Sequence, residues 1–323
     1  MLVRSALLTL AALLFTPASP GEAQTAYPTR PVRMILPFGA GGIADITSRI
    51  VADKLGEKLG QRVVIENQPG AGGVTAARSA LSAPADGYML ALLANSTAIS
   101  VGLFKTLPFD PLKDFAPVSS FAVFDFVFVT NAEQRYRTLA DVIAAAREKP
   151  GGLNIGTINV GSSQNLAAEL FKSTAGVNLT IVPYRTTPEA LVGLLRNDVD
   201  VMIDTYAALR SPLGEQKIRA LATSGPERSA LLPQTPTVQE SGVAGFEVVS
   251  WNGMFAPANV APEIIQTLTR AVQEVVASPE IRQRFLELGI EAKGSTPEDL
   301  RAQLANDIEK WTAVIERAKI PQR

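Results

Sequence analysis

The chain has 323 residues, a formal net charge of −1, and neither cysteine nor histidine. That length suffices for two domains and a sizeable core, and the balanced charge leaves no electrostatic footprint for nucleic acid. The missing cysteine and histidine exclude disulfides, thiolate chemistry, Cys/His zinc centres and every Ser-His or Cys-His nucleophile system.

The N-terminus reads as a secretory signal. Arg4 supplies positive charge, and residues 6–15 form an apolar run too short to span a bilayer. Pro17 and Pro20 break that run, and Gly21-Glu22-Ala23 places small residues where cleavage is expected, after Ala23. Residues 1–23 are therefore set aside as a signal peptide. An exported chain without disulfides fits a bacterial periplasm. No later segment is long and apolar enough to cross a membrane.

From residue 27 the elements alternate. A strand at residues 32–36 precedes a helix over 45–59, where Ile46, Ile50, Val51, Leu55 and Leu59 recur at near-helical spacing. Strand 63–65, helix 73–81 and strand 88–93 follow. A second run of the same kind has strands at 153–156, 179–182, 199–203 and 218–222, with helices at 163–172 and 187–196. Such alternation predicts two α/β units, each with a mixed, mostly parallel sheet flanked by helices. Segments 126–147 and 253–276 share a strand-turn-helix pattern and are expected to carry the chain between the units. The expected partition is residues 27–125 plus 250–323 in one lobe and 126–249 in the other. A last amphipathic helix, about 298–318, carries Leu300, Leu304, Ile308, Trp311 and Ile315 on one face, a packing stripe.

The strand-to-helix junctions hold the candidate chemistry. The first, "ILPFGAGGIADI" (residues 35–46), contains Gly39-x-Gly41-x-x-Ala44, which fits a dinucleotide fingerprint, with Glu66 near the ribose-binding position. Pro37-Phe38 at the mouth and Asp45 on the same helix end, where it is expected to act as an N-cap, oppose a pyrophosphate there. Export also counts against a soluble nicotinamide enzyme, while the free N–H groups and positive dipole of the helix end suit any anion, a carboxylate among them. A second loop, Asn67 to Gly73, presents Gly72 and Gly73, and a third, Ala94 to Thr97, presents Asn95 and Ser96. On the opposite wall, Ser162 and Ser163 either cap their helix or donate hydroxyls to an oxyanion. Tyr184 offers a phenol and Arg185 a fixed positive charge, placed either for solvent and ion pairing or for a ligand. Asp204, at a strand end, either orients a neighbouring loop or accepts from a ligand donor. In open α/β sheets such junctions are where ligands bind.

Several motifs in order carry a family resemblance: Tyr27-Pro28-Thr29-Arg30-Pro31-Val32, Pro37-Phe38 with the glycine loop, Glu66 to Gly73, Asp86-Gly87-Tyr88, Leu107 to Pro111, Val182-Pro183-Tyr184, and Leu232 to Val238. Together they resemble the Bug, or TctC, family of extracytoplasmic solute-binding receptors of tripartite tricarboxylate transporters, over essentially all of the mature chain. The resemblance implies a type II periplasmic-binding-protein fold whose two lobes close on a small carboxylate. It implies membrane partners of the TctA/TctB type. It implies ligand contacts at Phe38, Gly41, Gly42, Asp45, Gly72, Gly73, Asn95 and Ser96 from one lobe, and at Ser162, Ser163, Gln164, Tyr184, Arg185 and Asp204 from the other. No cofactor or metal is implied, and a monomer is expected of a receptor that hinges.

Departures from the family pattern concern the ligand more than the fold. Gln164 stands where a histidine is usual, Arg185 replaces a lysine, Thr186 replaces a glycine, and Val160 stands at a small polar position. Arg185 suits a planar carboxylate, so a dicarboxylate or aromatic carboxylate is favoured. The rival readings are an exported hydrolase using Ser162 or Ser163, which lacks a base at a recognisable spacing and a Gly-x-Ser-x-Gly elbow, and a sensory receptor of the same fold without transport.

Overall fold

The computed structural model describes residues 27–317 and 319–323. The expected signal peptide, residues 1–23, lies outside the described residues.

The chain begins with β1 (Val32–Leu36), α1 (Ile43–Leu59), β2 (Val63–Asn67), α2 (Val74–Leu81), β3 (Met89–Ala94) and α3 (Asn95–Leu103). Every residue of β3, Met-Leu-Ala-Leu-Leu-Ala, is buried, because a central strand covered on both faces needs a continuous apolar run. Gly60 ends α1 in the left-handed conformation, at φ 70°, where a side chain would be strained. The long strand β4 (Phe115–Asp125) then leads across to β5 (Val127–Asn131).

The second unit continues through α4 (Leu139–Glu148), β6 (Asn154–Ile158), α5 (Ser163–Ala175), β7 (Thr180–Tyr184), α6 (Thr187–Leu195), β8 (Val201–Asp204), α7 (Tyr206–Gly214) and β9 (Ile218–Thr223). The chain returns in β10 (Val249–Pro257) and closes with α8 (Pro262–Ala277), α9 (Pro279–Leu286) and α10 (Pro297–Arg317).

Two five-stranded sheets result, ordered β2-β1-β3-β10-β4 and β7-β6-β8-β5-β9. In each, one strand runs against its neighbours: β10 pairs antiparallel with β3 and β4, and β5 antiparallel with β8 and β9. These two are the first strands after the chain changes sheet, so the sheets repeat one plan. The remaining pairs, β1 with β2 and β3, and β6 with β7 and β8, are parallel. The ends of the parallel strands that lead into α1, α3, α5 and α6 therefore face one cleft.

Two features depart from the expected elements. Residues 94–97 are not a loop: β3 runs directly into α3, and Thr97 Oγ1 accepts the Ala94 N–H at 3.2 Å. The eleven residues of β4 form one strand although Pro117 and the Ser119-Ser120 pair interrupt its apolar pattern. Irregular register against β10 accommodates those breaks, and Ser119 and Ser120 bond the 293–295 segment.

Ser224 joins the two crossings. Its hydroxyl accepts the Phe126 N–H at 2.8 Å and donates to the Val248 carbonyl at 2.6 Å. Next to it, Asp125 is largely enclosed. Burial pushes its carboxyl up from 3.8 to about 6, against the opposing pull of its own and the Gly225 backbone N–H groups. The folded state thus holds a proton on Asp125 that the unfolded chain releases between those two values. The contribution of this group to stability falls as pH rises through that window, by at most ~3 kcal/mol. Asp125→Asn is expected to melt above the wild type at about pH 7 and to lose that advantage near about pH 4; midpoints measured by circular dichroism at the two values check this.

Candidate functional site

The glycine loop after β1 is braced from behind. Gly42 is the N-cap of α1 and has no side chain to satisfy the helix's first N–H groups. The sequence suggested Asp45 as that cap and as a ligand contact. It sits instead in the first turn of α1, buried, with one carboxylate oxygen accepting the Gly41 N–H at 3.0 Å and the other paired to Arg49 at 2.8 Å. Burial alone would push its carboxyl up, but Arg49, the Gly41 N–H and Asn67 together hold it below the usual carboxylate range. Arg49 also donates to Asn67 Oδ1 at 3.0 Å, and Asn67 Nδ2 donates to the Phe38 carbonyl at 3.0 Å. The brace fixes residues 38–42 and leaves the N-terminus of α1 open. Glu66, the candidate ribose acid, pairs with Arg33 at 2.7 Å on β1, away from this loop.

The loop's three glycines meet the opposite lobe with bare backbone. A Cβ on Gly39 would lie 2.4 Å from Thr186 Cγ2, one on Gly41 3.1 Å from Pro188 Cγ, and one on Gly42 3.2 Å from Thr187 Oγ1. A second contact closes the far side, where a Cβ on Gly72 or on Gly161 would meet the Phe104 ring at 3.0 or 3.1 Å. Ser163 and Ser250 share a hydroxyl hydrogen bond of 3.2 Å between the lobes. The lobes are closed.

Between them lie two cavities separated by Phe38, which lines both. The first leaves about 420 Å³ between its walls, space open to solvent included. Its body is apolar, with Phe38, Ala94, Phe124, Phe126 and Ile158, and its polar side chains are Ser163, Gln164, Arg185, Thr186, Thr187, Ser250 and Asn252. The N-terminal residues of α1 (Ile43, Ala44), α5 (Ser163, Gln164) and α6 (Thr187) all reach it, and no aspartate or glutamate lines it. The second leaves about 260 Å³ on the same measure and is lined by Gly72, Gly73, Ser96, Thr97, Ser100 and the 159–162 segment, among others.

The expected contacts divide accordingly. Phe38, Gly42, Ser163, Gln164 and Arg185 line the first cavity. Gly72, Gly73, Ser96 and Ser162 line the second. Gly41 takes part through its contact with Pro188 and its bond to Asp45. Ser162 is a cap: it accepts from the Asn165 N–H at 3.1 Å and donates to the Ile158 carbonyl at 2.9 Å, which occupies its only hydrogen. Among the described residues Arg185 makes no ion pair, and its side chain stands at the cavity exposed.

Besides Gly41 and Asp45, three expected contacts do not reach either cavity. Asn95 opens α3 but turns its amide to Trp311, whose indole N–H it accepts at 2.6 Å, and to the Val249 carbonyl. Tyr184 packs its ring against Gly193 on α6, and burial together with Asp198 pushes its phenol up. Asp204 is fully buried behind the wall; it accepts from Thr187 Oγ1 (2.7 Å), Gln164 Nε2 (3.2 Å) and the Thr205 N–H (2.8 Å). Burial pushes its carboxyl up while those donors pull it down. Of the two roles left open for Asp204, the geometry shows the orienting one.

The sequence reading missed Thr187, Phe124, Ser250 and Asn252. Thr187 was legible as a helix start facing the glycine loop. Phe124 and the β10 residues were not, because strand pairing across more than a hundred residues brings them to the cavity.

Two α/β lobes closed over an enclosed cavity, with helix N-termini directed into it, define a type II solute-binding protein. The family described as "Tripartite tricarboxylate transporter family receptor" matches residues 47–320, and the chain belongs to it. Its members are solute-binding receptors, not enzymes. The periplasmic binding protein BugD superimposes with a TM-score of 0.88 at 28% identity, over 92% of this chain and 100% of that one. An R. palustris protein, Rpa4515, solved with adipate, gives 0.87 at 32% identity over 91% and 99%. MatC from Rhodopseudomonas palustris, solved with malate, gives 0.85 at 29% over 90% and 100%.

The approach of Gly39 to Thr186 generates a prediction specific to closure. Gly39 has no positive φ, so alanine is strained there only when Thr186 is against it. Gly39→Ala is expected to weaken ligand binding tenfold or more, about 1.4 kcal/mol, with little change in the unliganded melting midpoint. Adding Thr186→Gly, which removes the clashing methyl, should restore most of the affinity. Calorimetric titration of both variants checks this.

Proposed function

We propose that this protein captures a small carboxylate in the periplasm by closing its two lobes over it, and delivers it to membrane subunits of the TctA/TctB type. The observation that carries this reading is the charge pattern of the first cavity. Three helix N-termini and Arg185 reach a space that no acidic side chain lines. Unpaired N–H groups and the partial positive charge of each helix end suit an anion and replace the water it loses. Arg185, free of an ion pair among the described residues, adds a charge-assisted bond of roughly 1.5–3 kcal/mol.

The walls narrow the class. Phe38, Phe124, Phe126 and Ile158 favour an apolar body between polar ends, either the methylene chain of a dicarboxylate or an aromatic ring. The adipate and malate bound by two structural relatives support a carboxylate. Export to the periplasm rests on the leader-like N-terminus, and transporter delivery on the family. Closure needs only the two lobes of one chain, so the protein works as a monomer.

A thermal-shift screen of the mature protein against mono-, di- and tricarboxylates, aromatic acids, acidic amino acids and NAD tests the reading. A carboxylate is expected to raise the midpoint with concentration, by an increment equivalent to ~2.7 kcal/mol at a hundredfold excess over Kd. A shift with NAD and none with any carboxylate overturns it.

A further inference from the structure

Gln164 and Asn252 are the two amide side chains on the wall of the first cavity, and both are nearly buried, at 4% and 1% exposure. Each is oriented from behind by a neighbour that can only accept. Gln164 faces Asp204 Oδ1, which also accepts the Thr205 N–H at 2.8 Å. That oxygen stays an acceptor even when the carboxyl is protonated, because the proton then belongs on Oδ2, beside Thr187. The amide must therefore present Nε2 to Asp204. Asn252 faces Thr47 Oγ1 at 3.0 Å, and the hydrogen of Thr47 is committed to the Ile43 carbonyl at 2.8 Å. Asn252 must present Nδ2 in turn. Rotating either amide by half a turn would set oxygen against oxygen.

Both carbonyl oxygens, Gln164 Oε1 and Asn252 Oδ1, are thereby left without a donor among the described residues. The side-chain atoms sealed without a partner among the described residues are Ser48 Oγ, Asn159 Nδ2, Thr205 Oγ1 and Thr223 Oγ1; these two oxygens are not among them, and the residues that carry them line the first cavity. A carboxylate would be repelled there. An ammonium is disfavoured by Arg185 and the three helix N-termini around the same space. A neutral donor fits.

We infer that Gln164 and Asn252 form a specificity-determining acceptor pair, set by Asp204 and Thr47, that selects carboxylates carrying a hydroxyl group. The inference rests on the carboxylate-receptor reading above. The ligand's carboxylate lies toward the helix ends and Arg185, its body lies on the phenylalanines, and its hydroxyl donates to the amide oxygens. An acid without the hydroxyl leaves buried acceptors bare once closure has removed their water, and that asymmetry is what discriminates.

Calorimetric titration with matched pairs tests this: malate against succinate, phenyllactate against phenylpropionate, and para-hydroxybenzoate against benzoate. The tightest-binding acid is expected to be hydroxylated and to exceed its partner by about tenfold or more. Gln164→Met, of similar length and without the amide, is expected to bring that ratio towards one. A tightest binder without a hydroxyl, or partners within about threefold of each other, overturns the acceptor pair and leaves the receptor reading standing. No binding by any of the acids, in this set or in the wider carboxylate screen, overturns both. Should the variant fail to fold, the wild-type ratio alone decides.

Discussion

The site depends on one contact: the bare backbone of Gly39, Gly41 and Gly42 against Thr186, Pro188 and Thr187. A cavity between two lobes excludes water only if its rim closes, and here the rim closes at distances that crowd a side chain at Gly41 or Gly42 and forbid one at Gly39. Because Gly39, Gly41 and Gly42 put no side chain between the backbone and the opposite wall, the first N–H groups of α1 stay unblocked at the cavity. The same economy of side chains that lets the lobes meet keeps the anion-binding groups free.

The two halves of the molecule are built on one plan, and that plan delivers the walls. Each sheet places its parallel strands so that they end at the cleft, and each inserts one reversed strand, β10 or β5, immediately after the chain has crossed. The crossings are tied by Ser224, which bonds Phe126 on one and Val248 on the other. A single serine linking two adjacent strands is a compact pivot. It keeps the crossings together while imposing little on the lobes beyond them. The wall of the second lobe is stiffened separately by Asp204, which gathers Gln164, Thr187 and Thr205 around one buried carboxylate. Apolar side chains supply the volume of the first cavity, and main-chain groups and a few oriented side chains supply its polarity.

Much of this architecture was legible from local pattern. The continuous apolar run of β3, the near-helical spacing in α1 and the packing stripe of α10 each follow from burial on both faces, on one face, or along one stripe. The β4 strand was hidden because Pro117 and two serines break its apolar pattern, and its partners lie far along the chain. The start of α3 was hidden because Asn95-Ser96-Thr97 has the composition of a turn, although all three are buried inside a helix. For the site, the glycine loop, Ser163, Gln164 and Arg185 were visible because strand-to-helix junctions gather at one edge of such sheets. Asn95, Tyr184 and Asp204 have suitable chemistry, but Trp311, Gly193 and the Gln164–Thr187 pair claim their side chains.

By itself the sequence determined the class of the molecule: alternating strands and helices, glycine loops before helices, no cysteine or histidine, and a familiar order of motifs. These are local properties, set by periodicity and by residue chemistry within a few positions. Tertiary structure decided which atoms face the ligand. Asp45 became a brace, Ser162 a cap and Asp204 an orienting carboxyl group, while Phe124, Ser250 and Asn252 entered from strands paired across the length of the chain. A side chain with several possible partners bonds whichever one packing places beside it, and packing joins residues that no sequence window contains.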